Sequence, residues 1–427
     1  MTFAAVHMTT SQAKDQIINA VKRHCGSRSV TRLVRGMETM QRFERGSAKN
    51  MHGAPRGPKQ TCAITDNEFL DQLITMCQTA LPGDEVPPIL LEIGDIFKTT
   101  GEMQRAVEMY SLVLSLEDGK RKADHQRVNR AEALLRRGEV HSSLGRWKES
   151  RADLVRSRSL FIALKEKVSV GRIDNILGTN YAEQGKLALA RKFFQKAYTV
   201  FEESDQKELT GTALMNLGIL LNIRGQYAEA LGHYRRALSY FEQLGDVRRL
   251  AQLHHNIGMT HLQRSMTDEA IKEFNLSYFL GTKQELVPIM ATAVFGKANA
   301  SYRQADLALS LKLVTQAIEL FEQCGDRLGQ ADAYKLKGMI NRDLKTYSLA
   351  TSYFQTSLRL NRELDNKLNA AETSFELGVM EQQRRKPQAA LDAFTAAQDL
   401  FREIGAAEEA RKAEMEIHTL TLRHHEL

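Results

Sequence analysis

The stretch "ALSYFEQLGD" at residues 237–246 returns as "AIELFEQCGD" at 317–326. Midway between them, 277–286 reads "SYFLGTKQEL", a degraded copy. Further steps of 40 land on "AYTVFEESDQ" (197–206), "SLRLNRELDN" (357–366) and "AQDLFREIGA" (397–406). The chain is written in units of 40 residues, and this period overrides any count of domains from length.

Aligning the units exposes columns of constrained size. One small column reads Gly94, Gly138, Gly178, Gly218, Gly258, Ala298, Gly338, Gly378. Twelve residues on stand Ala106, Ser150, Ala190, Ala230, Ala270, Ser310, Ala350, Ala390. A third small column is Val113, Ser157, Ala197, Ala237, Ser277, Ala317, Ser357, Ala397. Between the last two runs a bulky column: Tyr110, Leu154, Phe194, Tyr234, Phe274, Val314, Phe354, Phe394. Glycine inside a helix costs about 1 kcal/mol relative to alanine, so a column of it needs a compensating contact. Close approach of two helix backbones supplies one, with the small column receiving the neighbour's bulky one.

Apolar residues recur at helical spacing around Gly218 (Leu214, Leu217, Leu221) and again from Tyr227 to Leu244. Gly225 separates the two runs, and Gly245 stands where a helix C-terminus favours a left-handed residue. Each unit therefore reads as a helical hairpin. Pro387 sits at the start of a second helix and Pro288 just ahead of a first one. The turn glycine is lost from the last four units, and Lys337 occupies a usually apolar column.

These columns resemble the tetratricopeptide repeat, most clearly in "NLGILLNIRGQYAEALGHYRRAL" (216–238). The unit is longer than the family's usual ~34 residues and is similar to the long-helix variant of kinesin light chains and Pins-type scaffolds. The resemblance implies an all-α, right-handed superhelical solenoid of about eight hairpins over residues 87–406. Residues 407–427 read as a C-terminal capping helix, 66–86 as an N-terminal capping helix (67–80) with a linker, and 1–65 as a basic, flexible tail.

The net charge of +7 belongs to that tail: residues 1–60 hold eleven Lys and Arg against Asp15, Glu38 and Glu44. "SQAKDQIINAVKR" (11–23) reads as a short amphipathic helix ahead of the acid-poor "RHCGSRSVTRLVRG". Three readings stay open: a solvated tail, an arm drawn to a polyanion such as a cytoskeletal filament, and a mitochondrial presequence. As a charged segment, residues 1–65 should contribute little to the core, so their removal should leave the melting temperature unchanged. No apolar run approaches the ~18 residues of a membrane span. Cys25, Cys62, Cys77 and Cys324 lack pairing or metal-ligand spacing, which indicates a reducing, cytoplasmic setting, with cytoskeleton or cilium as the alternative.

No HExxH, phosphate-cradling glycine loop or nucleophile constellation is present, so no catalytic residue, cofactor or metal is assigned. In "HHNIGMTH", His254 and His261 share a helix face seven residues apart, too far for one ion. The expected function is binding of a protein or peptide partner, not catalysis. By the family resemblance the concave groove is lined by one face of each first helix. Helical spacing then picks out Arg172, Asn175 and Thr179; Asn216, Ile219 and Asn222; and Gln252, His255, Asn256 and Met259. Asn299, Tyr302, Lys335, Met339 and Arg342 follow on the later units. Asn216 and Asn256 lie one unit apart and form a ladder suited to an extended peptide backbone. Lys335 stands at the lysine position of the family's carboxylate clamp, but Met339 replaces the asparagine that the clamp needs.

Overall fold

The computed structural model describes residues 16, 17, 19, 20, 23, 85–116 and 124–425; the capping helix expected over 67–80 lies outside the described residues. Among them every regular element is an α-helix. In order these are α1 (Val86–Thr99), α2 (Met103–Leu116), α3 (Asp124–Ser143), α4 (Trp147–Ala163), α5 (Lys167–Glu183) and α6 (Leu187–Glu203). Then come α7 (Lys207–Ile223), α8 (Tyr227–Leu244), α9 (Val247–Gln263), α10 (Thr267–Lys283), α11 (Val287–Arg303) and α12 (Leu307–Gln323). The last are α13 (Arg327–Asp343), α14 (Tyr347–Glu363), α15 (Lys367–Gln383), α16 (Pro387–Glu403) and α17 (Ala407–His425). The chain divides into two compact units, residues 1–209 and 210–427.

The period has a sharper origin than a repeated hairpin. From Gly145 to Gly405 every twentieth residue has positive φ, between +51° and +75°, so the two halves of each unit end alike. At each such turn the next N–H bonds the carbonyl five residues back, as in Asp246 to Phe241 at 3.0 Å and Lys386 to Glu381 at 3.0 Å. This is the Schellman closure of a helix C-terminus. Gly245 takes the conformation at no steric cost (φ 65°). Ser265, Ala305, Lys345 and Arg385 adopt it where the turn glycine is missing, so the conformation outlives the residue that favours it. Pro288 lies inside α11, in its first turn, where a missing N–H breaks no intrahelical bond.

Within each hairpin the bulky column fills the small one. A Cβ on Gly178 would stand 2.6 Å from Phe194 Cδ1, and one on Gly258, Gly338 or Gly378 2.7 Å from Phe274, Phe354 or Phe394. These rings are at most 3 % exposed. Where the small column holds Ala298, the bulky one holds the shorter Val314, and both are fully buried. Lys337 keeps its place in an apolar column by resting its ammonium 4.9 Å from the Tyr353 ring centroid. At the far end α17 buries Ala410, Ala413 and Leu420, with Leu420 joining Ala390 and Phe394 of α16.

In the first unit the segment around residue 20 differs from a solvated tail. Ile17 and Ala20 are fully buried in one cluster with Ile89, Leu90, Ile93 and Phe97 of α1, and Arg23 pairs with Glu92. Residues 1–65 are expected to contribute little to the core, yet Ile17 and Ala20 belong to it. Ile17→Ala should cost about 2 kcal/mol of stability, read from urea denaturation; an unchanged midpoint would mean that the segment does not cover α1.

Candidate functional site

Every candidate residue but three lies in the second unit, along the face that the first helices α7, α9, α11 and α13 present in common. The positions recur one repeat apart because the helices share register: Asn216, Ile219 and Asn222 on α7; Gln252, His255, Asn256 and Met259 on α9. All are half-buried, forming a lane between core and open surface. Neighbouring first helices are tied across it, as Arg249 of α9 donates to Thr212 Oγ1 of α7 at 2.7 Å. Arg303 of α11 likewise donates to the Leu262 carbonyl of α9 at 2.6 Å.

The lane is not uniform. On α9, the side-chain amides of Gln252 and Asn256 make no hydrogen bond to other described residues; Met259 packs beside Leu262, Ala270 and Phe274. Asn222 Oδ1 is covered yet without a donor. On α11 and α13 the polar groups are engaged within the protein. Asn299 donates to its own helix at Phe295 O, 3.1 Å away. The Lys335 ammonium lies 2.5 Å from Glu372 and 3.4 Å from Asp332, so the clamp-like lysine is neutralised internally. Arg342 is 7 % exposed and binds Asp343 at 2.8 Å, Glu376, and the Tyr302 hydroxyl at 3.1 Å. Helical spacing put Lys335 and Arg342 on the candidate face, but it could not show these bonds. A signal was available: each cation has its carboxylate one repeat later, Glu372 and Glu376.

In the first unit Arg172 lies 3.7 Å from Glu132 of the preceding first helix, a further tie of the same kind. Asn175 is half-buried one turn along the same helix, and its carbonyl accepts from Thr179.

The histidines divide by environment. His254 Nδ1 sits 2.7 Å from Glu273 Oε2 of α10. His255 packs its ring against Phe274, centroids 5.6 Å apart, with Nδ1 covered and unpartnered. Burial pushes its pKa down to about 4. The folded state therefore refuses a proton that the unfolded chain accepts below about pH 6.5. Stability should fall as pH drops from about 6.5 to about 4, by about 3 kcal/mol in full. His255→Phe, which cannot ionise, should flatten that limb of a pH-dependent denaturation series; an equally steep limb in the variant would place the effect elsewhere. Among the described residues no three His, Cys, Asp or Glu side chains group closely enough to hold a metal ion. No described helix is long and apolar enough to cross a membrane.

Comparison with known proteins bears on the fold. Residues 129–203 and 209–278 match the model of the tetratricopeptide repeat, covering α3 to α6 and most of α7 to α10. No curated protein sequence matches the chain. Among solved structures, the apo form of the quorum sensor NprR from B. thuringiensis is similar at TM-score 0.60 and 14% identity, over 78% of this chain and 92% of that one. A Rap protein complexed with competence and sporulation factor is similar at 0.54 and 14% identity, over 80% and 99%. Aspartyl phosphate phosphatase F from Bacillus subtilis is similar at 0.55 and 15% identity, over 84% and 96%. At these identities the likeness is one of fold. With the small and bulky columns, the family match and the fold agreeing there, residues 129–203 and 209–278 are built of tetratricopeptide repeats.

Proposed function

We propose that this chain is a non-enzymatic scaffold that holds an extended peptide segment of a partner protein against the α7–α9 part of the lane. The observation that carries the reading is the contrast within one face. Gln252 and Asn256 have their amides unengaged among the described residues, beside apolar Ile219 and Met259, whereas Lys335 and Arg342 are consumed by carboxylates. Side-chain amides offer both a donor and an acceptor, which is what a peptide backbone needs on either side. The apolar pair would take alternate side chains of the bound strand.

A second reading has its own support. Similar structures are described as a quorum sensor, as a Rap protein complexed with competence and sporulation factor, and as a Rap conjugation gene regulator in complex with the Phr* peptide. By that analogy the groove would hold a small free peptide, and the protein would be a peptide-responsive sensor. Both readings use the same residues and differ in whether the peptide is free or part of a protein. The arm reading, in which the basic tail contacts a polyanion, falls on residues outside those described, Gln16, Ile17, Asn19, Ala20 and Arg23 apart.

Selection of a random displayed peptide library on the full-length protein tests the shared core of both. Enriched peptides should compete with one another for one site. Enrichment no greater than on an unrelated helical protein would sink the groove reading.

A further inference from the structure

The second helices carry a fixed polar position two residues after the third small column. It reads Ser159, Thr199, Ser239, Glu319, Arg359 and Asp399, all exposed. On α10 the same position is Phe279, 54% exposed. Three residues earlier, where the repeats after the first have Arg156, Lys196, Arg236, Gln316, Thr356 and Ala396, α10 has Leu276, 45% exposed, whereas the first repeat's Leu112 is half-buried.

The cause is a slip in the sequence against the fold. "LSYF" occurs at 238–241 and again at 276–279, a step of 38 where the fold keeps 40. The structure holds the 40-residue register: Ser277 is the fully buried residue of the small column. Gly281 stands where Phe161, Phe201, Phe241, Phe321 and Phe401 stand in other units, and it faces Ile289 and Met290. Two residues on an α-helix turn a side chain by about 200°. That slip carries the aromatic ring from the core to the solvent.

Leu276 and Phe279 are the middle of a longer stripe. Lys272, Leu276, Phe279 and Lys283 follow one another at spacings of four, three and four, which places them on one face of α10. All four are exposed, and the Lys283 ammonium lies 4.6 Å from the Phe279 ring centroid.

We propose that this stripe is a docking site for a helix of a partner protein, whose apolar residues meet Leu276 and Phe279 and whose carboxylates meet Lys272 and Lys283. The alternating four-three spacing is the seam spacing of helix-on-helix packing, in which an apolar pair sits between flanking charges. A second copy of this chain does not fit. Antiparallel pairing about the apolar centre sets Lys272 against the copy's Lys283, and parallel pairing sets each lysine against itself. An acidic-flanked helix removes that repulsion and pairs both ammonium groups. The stripe lies on a second helix, away from the amide lane, so the two sites stand independently.

The test uses the full-length protein and a designed alanine-based helical peptide carrying the stripe Glu-x-x-x-Leu-x-x-Leu-x-x-x-Glu. A twin with Lys in place of both Glu and phosphatidylcholine/phosphatidylserine vesicles serve as the other arms. Fluorescence anisotropy should show binding of the acidic peptide and none of its twin. The variant Leu276→Gln/Phe279→Ser takes residues that other repeats carry at these positions, and so should melt as wild type by circular dichroism. It should bind the acidic peptide about tenfold more weakly or worse. Lys272→Glu/Lys283→Glu should reverse the preference between the two peptides. Absence of peptide binding, equal binding of both peptides, or full binding by the Leu276/Phe279 variant would overturn the proposal. Vesicle binding that needs Leu276 and Phe279, without peptide binding, would replace it with a membrane contact.

Discussion

Gly218→Leu should destabilise the protein by about 3 kcal/mol or more, because overpacking a filled notch forces ring or backbone to move. A Cβ on residue 218 would already stand 2.7 Å from Tyr234 Cδ1, and Tyr234 is 1% exposed, with no free volume to swing into. The chain itself shows how the notch can be altered. Where Ala298 adds a methyl, Val314 replaces the ring. Gly338→Ala and Phe354→Val should accordingly show favourable coupling: the double variant should lose less than the sum of the two singles. Thermal denaturation followed by circular dichroism reads both experiments. A Gly218→Leu protein that melted as wild type would mean that Tyr234 does not fill this notch.

Arg342→Ala should be nearly as damaging, at about 2–3 kcal/mol. The guanidinium is 9% exposed and holds Glu376 and Asp343, themselves 24% and 30% exposed. Its loss leaves two partly buried carboxylates without a counter-charge and the Tyr302 hydroxyl without its guanidinium neighbour. The half-exposure of the carboxylates keeps the cost below that of a fully buried pair. Urea denaturation checks it, and a neutral result would return Arg342 to the role that its spacing alone suggested, a solvent-facing binding residue.

The two cases show what the sequence made legible. Gly218 announced its contact because glycine inside a helix is costly and recurs every 40 residues opposite a large residue. Arg342 was placed on the candidate face by period alone, but period says nothing of partners, and its partner Glu376 lies in the next repeat. The left-handed turns at Lys345 and Arg385 were hidden for a related reason. Their conformation is imposed by the helices on both sides, while the residue type argues against it. Ile17 and Ala20 were read as part of an amphipathic helix in a basic tail. The clue to their burial lay elsewhere, in "VPPILLEIGDIF" (86–97), where α1 buries residues around most of its circumference and so needs cover on a second side. The candidate lane was legible as a set of positions. Which of its members are available was not, since availability depends on side-chain bonds between neighbouring first helices.

That availability is the centre of the functional reading, and titration calorimetry with a peptide enriched on the wild-type protein tests it directly. Gln252→Ala/Asn256→Ala changes half-buried surface positions and leaves the small columns intact, so the fold should hold within about 0.5 kcal/mol. Each lost amide would leave a backbone group of the bound peptide dehydrated and unpaired, at about 1–3 kcal/mol apiece. The account predicts a fall in affinity of about thirtyfold or more for this double variant. Lys335→Ala, which breaks an internal ion pair on α13, should leave affinity close to wild type. Unchanged affinity in the double amide variant, or a loss confined to Lys335→Ala, would contradict the account and move the site off the α9 amides.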